Sequence, residues 1–178
     1  MLGEGVVMKR FAKAAALIVG LGVALGPRVS ASAQYLTPQQ KPEAHPYTKR
    51  HLYDEIADPR VAIAAAIKQA KAEHKRVILD FGGDWCGDCQ VLDIYFHEAP
   101  NEELLRKSFV VVHIYIGKMD KNIDLAAQYG VPISKGVPAL AVLDAKGKPL
   151  HSQQTGEFRD MRHMDAASLT EFLNKWKG

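Results

Sequence analysis

The apolar positions follow two periods along the chain. Behind Asp58-Pro59, a pair suited to helix N-cap and first turn, Val61, Ala64, Ala65 and Ile67 recur at helical spacing. They predict a helix that fades by Lys75. Residues 77–81 form a short continuous apolar run and predict a buried strand. A helix is expected from the segment 82–89 to about Glu98, and one or two helical turns over 101–107. Residues 109–116, rich in β-branched and aromatic side chains, predict a strand. A helix over 120–129 is stopped by Gly130. Residues 139–143 and 148–153 predict a hairpin about the turn 144–147, and 156–164 a loop. Leu169, Phe172, Leu173 and Trp176 share one face of a last helix capped by Asp165 or Ser168, the latter at capping-box spacing from Glu171.

The order is thus helix, strand, helix, strand, helix, hairpin, helix. Strand–helix–strand units require parallel pairing and the hairpin adds antiparallel strands. An α/β domain over 58–178 follows, with a mixed central sheet and helices on both faces.

The N-terminus changes the picture of where the chain works. Lys9, Arg10 and Lys13 precede an apolar run over 14–26, and Ala31-Ser32-Ala33 has the form of a cleavage site. Residues 1–33 are therefore expected to be a signal peptide, too short in its apolar run to remain as a membrane span. Residues 34–57, with Pro38, Pro42 and Pro46, read as a linker or irregular arm. Cleavage after Ala33 removes four of the 23 basic and one of the 20 acidic side chains, so the +3 of the whole chain belongs to the targeting segment. A neutral remainder gives no electrostatic basis for binding nucleic acid or anionic membrane. The expected location is the periplasm or another exported compartment.

The chemistry lies between the first strand and the second helix. The chain has two cysteines, Cys86 and Cys89, in Gly83-Asp84-Trp85-Cys86-Gly87-Asp88-Cys89. A thiolate at a helix start meets unpaired N–H groups and the positive end of the helix dipole. Two intervening residues let the second sulfur reach the first. Cys86, nearer the loop, is expected to attack, and Cys89 to resolve the mixed disulfide. A structural zinc site would want four ligands and there is no second Cys-x-x-Cys. Haem attachment would need His where Gln90 stands. A metal-binding or metal-chaperone module using the two sulfurs stays open as a different class. Trp85 suits a substrate platform beside the disulfide.

The run 80–89 resembles the thioredoxin superfamily, with its Trp-Cys-x-x-Cys signature, and Gly136-Val137-Pro138 resembles the family's second signature, a cis-proline beside the active site. The likeness extends over 61–176. Gly83-Asp84-Trp85-Cys86 and Phe96-His97-Glu98 are most similar to the periplasmic C-terminal domain of transmembrane thiol:disulfide interchange reductases and to small periplasmic thioredoxin-like proteins. The resemblance implies a thioredoxin-like fold and no organic cofactor or metal. It implies that Asp80 moves the proton of the resolving cysteine and that Asp93 is a second acidic catalytic position. It implies that Val137, ahead of a cis Pro138, offers its backbone to an extended substrate, with Pro132 the competing proline. Gly87 and Asp88 complete the expected substrate surface.

The chain departs from thioredoxins at Asp88, which replaces a proline and disfavours an acidic thiol by like-charge repulsion. It departs also at Ile94, at His113, which stands near a buried lysine of the family, and in the loop 132–134. The resulting expectation is an exported reductase of protein or small-thiol disulfides, recharged by a membrane electron donor. An oxidase or isomerase on the same scaffold is the alternative.

Overall fold

The computed structural model describes residues 43–178. The expected signal peptide and the first part of the arm, 34–42, lie outside the described residues.

Helix α1 (Pro59–Glu73) begins where Asp58 accepts a hydrogen bond from the Arg60 N–H at 2.9 Å, and it ends on His74 in the left-handed region. Strand β1 (Arg76–Gly82) leads through a short turn to α2 (Gly87–Phe96), which is followed by α3 (Asn101–Ser108) and β2 (Phe109–Tyr115). Then come α4 (Ile123–Gln128), the hairpin of β3 (Ala139–Leu143) and β4 (Pro149–Ser152), and α5 (Ala166–Trp176).

The strands form one sheet in the order β2-β1-β3-β4. β1 pairs parallel with β2, in register from Arg76 with Phe109 to Gly82 with Tyr115, and antiparallel with β3. The sheet is mixed, as the order of elements requires. Its central strands are buried on both faces, which is why β1 and β3 read as unbroken apolar runs. One face packs Val77, Leu79, Phe81 and Ala141 against Ile63, Ala66 and Ala70 of α1 and Leu125 of α4. The other packs Ile78, Leu140 and Val142 against Val91, Leu92 and Phe96 of α2 and Leu169 and Leu173 of α5.

Some local expectations shift. The helix expected over 120–129 is shorter, because the Ile116 carbonyl takes the N–H groups of Met119, Asp120 and Lys121 and Asn122 turns left-handed before α4 starts. The last helix is capped by Asp165, which accepts from the Ser168 N–H at 3.2 Å; Ser168 lies within the first turn, so the Ser168–Glu171 capping box is not used. The segment expected to be a loop over 156–164 contains a 3-10 turn, Met161–His163, and buries Phe158 and Met161 in the α5 side of the core. Residues 43–57 carry no helix or strand, yet Tyr53 is fully buried.

Ile78 is sealed between the sheet and α2, whereas Val61 on α1 is 70% exposed. Ile78→Ala is expected to lower unfolding free energy in urea by about 2–5 kcal/mol, and Val61→Ala by about 0.5 kcal/mol or less. Equal losses at the two sites would contradict the burial described.

Candidate active site

β1 carries the chain to the sheet's end at Gly82, and four residues later Cys86 becomes the N-cap of α2. Its Sγ accepts the Cys89 N–H at 3.1 Å, so the sulfur occupies the place that an oxygen takes in an ordinary cap. Cys86 and Cys89 are joined as a disulfide. Their surroundings differ: Cys86 keeps 6% of its surface and Cys89 none. Reduction of this bond would leave a Cys86 thiolate facing the N–H groups and dipole of the helix start.

The expected substrate-contact residues lie beside Cys86 in the chain, at Trp85, Gly87 and Asp88, or across from it in space, at Val137 and Pro138. The Val137 carbonyl oxygen lies 3.6 Å from its Sγ, and the Val137–Pro138 peptide is cis, as is Ala99–Pro100, which the sequence reading did not single out. Val131–Pro132 is not among the cis bonds. Gly136 reaches this point with φ of 123°, and a Cβ there would stand 2.6 Å from the Arg159 Cβ, so glycine suits both the backbone and the space. Trp85 is exposed, its Nε1 donating to the Gly117 carbonyl at 2.7 Å and the Lys118 ammonium lying 5.0 Å from its ring centre. Gly87 is half-buried, and Tyr47 of the arm covers it so closely that a Cβ would meet the phenol oxygen at 2.7 Å. Asp88 is buried and accepts from the Arg162 backbone N–H at 3.0 Å and the Arg162 Nε at 3.2 Å. The negative charge between the cysteines is thus countered by an arginine, an interaction the sequence reading did not supply.

The two further acids are both buried. Asp80 is neither at a strand end nor a turn residue: it sits inside β1 and its Oδ2 accepts from the Tyr53 hydroxyl at 2.7 Å and pairs with His113 Nδ1 at 2.8 Å. Asp93 does not face solvent on its helix; it forms an ion pair with Arg50 and lies 3.6 Å from His97 Nδ1.

The arm therefore belongs to the site. Gln90 and the Arg50 backbone exchange hydrogen bonds at 2.8 and 3.0 Å. Asp84 accepts from the Leu52 and Tyr53 N–H groups at 2.8 and 3.1 Å and from His51. Burial pushes the Asp84 carboxyl up, but the bonds from Leu52, Tyr53 and His51 outweigh it and hold the group below the usual carboxylate range. Tyr53 is a committed donor, because burial and then the neighbouring Asp80 carboxylate hold its phenol far above the usual range. Sequence reasoning missed Tyr53, Arg50, Asp84, Gln90 and Arg162. The available signal was the recurrence of polar residues, Asp84, Asp88, Gln90 and Asp93, in a segment otherwise rich in apolar side chains, together with the aromatic and basic arm. Among the described residues, no group of three or more His, Cys, Asp or Glu is placed to hold a metal ion, and no helix is long and apolar enough to cross a membrane.

Comparison with known proteins agrees with this geometry. A profile of thioredoxin-like proteins matches residues 58–145. The crystal structure titled disulphide isomerase from Xylella fastidiosa Temecula1 is 35% identical, covering 72% of this chain and 98% of that one with a TM-score of 0.68. The thiol:disulfide interchange proteins DsbD of Klebsiella pneumoniae and Vibrio cholerae are 28% and 29% identical over 124 and 105 residues. Those matches cover 68% and 58% of this chain but only 20% and 17% of the relatives, so the chain spans a small part of their length. The chain belongs to the thioredoxin-like family. It carries the paired cysteines of that family's thiol:disulfide oxidoreductases, here in the bonded form.

Two outcomes test the site's construction. A Cβ at Gly82 would stand 2.5 Å from the Tyr53 hydroxyl and 2.7 Å from Cys89 Sγ, so Gly82→Ala should destabilise the oxidised protein by about 1–3 kcal/mol in urea titrations; an unchanged midpoint would mean the approach is looser. Asp84 has a depressed folded-state pKa, so its stabilising contribution is complete above the ordinary carboxylate range and is lost as pH falls through it. Asp84→Asn should therefore flatten the acid-side loss of stability, and an identical pH dependence in the variant would contradict the assignment.

Proposed function

We propose that this chain is an exported thiol:disulfide oxidoreductase that reduces disulfides of proteins or small thiols. The single observation that carries the reading is the unequal exposure of two bonded sulfurs at a helix start, Cys86 with 6% of its surface accessible and Cys89 with none.

In the reduced protein the Cys86 thiolate attacks one sulfur of a substrate disulfide. A Cys86–substrate bond forms and the substrate bond breaks, its other sulfur leaving with the electron pair. Cys89 gives its proton to Asp80 and attacks Cys86 Sγ, regenerating the Cys86–Cys89 disulfide and releasing the second substrate sulfur as a thiolate. Trp85, Gly87, Asp88, Val137 and Pro138 form the substrate surface around Cys86, with the Val137 backbone suited to pairing with an extended segment. Asp93 acts at one remove, by fixing Arg50 and with it the arm over α2.

Two electrons must then return from outside the chain. Similarity to the DsbD proteins supports a membrane-bound electron donor, and the apolar N-terminal run with its small-residue cleavage pattern supports export to the periplasm. The name of the Xylella structure favours disulfide isomerisation as the second reading. The two separate on substrate: a reductase turns over insulin with an electron donor, while an isomerase restores activity to scrambled ribonuclease without net reduction.

Cys86→Ser is expected to abolish insulin reduction, and Cys89→Ser to accumulate mixed disulfides visible on non-reducing gels. Full activity in both variants would refute the mechanism.

A further inference from the structure

Asp80 presents an unusual hydrogen-bond balance. Oδ2 accepts two partners, the Tyr53 hydroxyl and His113 Nδ1, while Oδ1 is buried and has none among the described residues. A buried carboxylate oxygen without a partner is costly and calls for a reason. The local geometry supplies one. Asp80 and Gly82 project to the same face of β1, and the space above Gly82 is bounded by Tyr53 Oη and Cys89 Sγ, at 2.5 and 2.7 Å from the position of a Cβ. In the bonded state Cys89 has no proton to donate; as a thiol it has one.

The two partners of Oδ2 come from separate places. Tyr53 is delivered by the arm and is fully buried, with its ring edge-on to the His113 ring at 5.2 Å between centres. His113 comes from β2 and its side chain is 25% exposed. It lines a cleft of about 330 Å³ on the α2–α3 side of the sheet, where Asp93 of α2, His97 just after that helix, and Glu102 and Arg106 of α3 also face. The imidazole thus touches the buried carboxylate on one side and, on the other, an open cleft whose floor is largely apolar, with Leu105, Phe109 and Val111 beside the charged groups.

We propose that Tyr53 and His113 are positioning residues for Asp80: they hold Oδ2, keep Oδ1 free for the proton of Cys89, and through His113 connect the buried carboxylate with water. This rests on the role of Asp80 as proton acceptor given above. When Cys89 attacks, its proton passes to Oδ1 and the new Cys86–Cys89 bond replaces the Cys86–substrate bond. The protonated carboxyl then gives this proton to water that reaches it past the His113 ring, and Asp80 is left ionised with His113 Nδ1–H and the Tyr53 hydroxyl as donors, the pairing seen here.

The test follows decay of the Cys86–peptide mixed disulfide by acid quench, alkylation and mass analysis, as a function of pH. Removing either donor makes the ionised carboxylate less favoured. Tyr53→Phe and His113→Ala should therefore slow decay at neutral pH on the order of tenfold and move its acidic limb to higher pH, less than the loss expected on removing the proton acceptor itself. Imidazole added to His113→Ala, entering by the cleft, should move the limb back; a scaffolding role for His113 would not respond to it. Tyr53→Phe keeps the ring and carries the test even if His113→Ala fails to fold. A limb unmoved in Tyr53→Phe, or moved in His113→Ala but indifferent to imidazole, would overturn the inference. If Asp80→Asn itself decays at the parent rate, the proposed function of Asp80 falls instead.

Discussion

A disulfide across the first turn of α2 joins a sulfur that caps the helix to one enclosed beneath it. That arrangement requires the chain to leave β1 and enter a helix within four residues, with glycine at 82 and 83. The helix N-terminus gives the outer sulfur a favourable electrostatic setting, and the sheet gives the inner sulfur its burial. Neither would hold if the turn were looser. The parallel β1–β2 pair and the antiparallel β3 fix the end of β1, and α5 with α2 seals the face below it.

The same point is braced from the N-terminal side. The arm has no secondary structure of its own, and its backbone groups must find partners where it is buried. It finds them on Asp84 and Gln90, the polar residues flanking the cysteines, and it places Tyr53 on Asp80. Asp84, Gln90 and one oxygen of Asp80 are thereby partnered by a segment that, by composition, reads as a linker. On the other flank Arg162 meets Asp88, tying the 3-10 turn Met161–His163 to the residue between the cysteines. The segment that carries the redox pair is therefore held by two separate stretches of chain, the arm and the turn Met161–His163.

Much of this architecture was legible in the sequence. Every strand and most helix starts follow from apolar periodicity and capping residues, because the sheet is buried on both faces and Asp58, Gly130 and Asp165 act locally. Cys86 and Cys89 were legible because a strand–Cys-x-x-Cys–helix order points first to thiol–disulfide exchange. What escaped was long-range: Tyr53 with Asp80, Asp84 with the arm and Arg162 with Asp88 join residues 27 to 74 positions apart, and no local pattern encodes such pairs. The shortened α4 escaped for a different reason, since one carbonyl, that of Ile116, captured three N–H groups ahead of the helix.

The central claim is that the two sulfurs are chemically unequal. The most direct test is timed alkylation of the fully reduced protein with iodoacetamide at neutral pH, followed by peptide mass mapping. The account predicts that Cys86 is carboxamidomethylated first and that Cys89 remains free until the fold is denatured. Equal labelling of both cysteines in the native protein, or labelling of Cys89 ahead of Cys86, would contradict it.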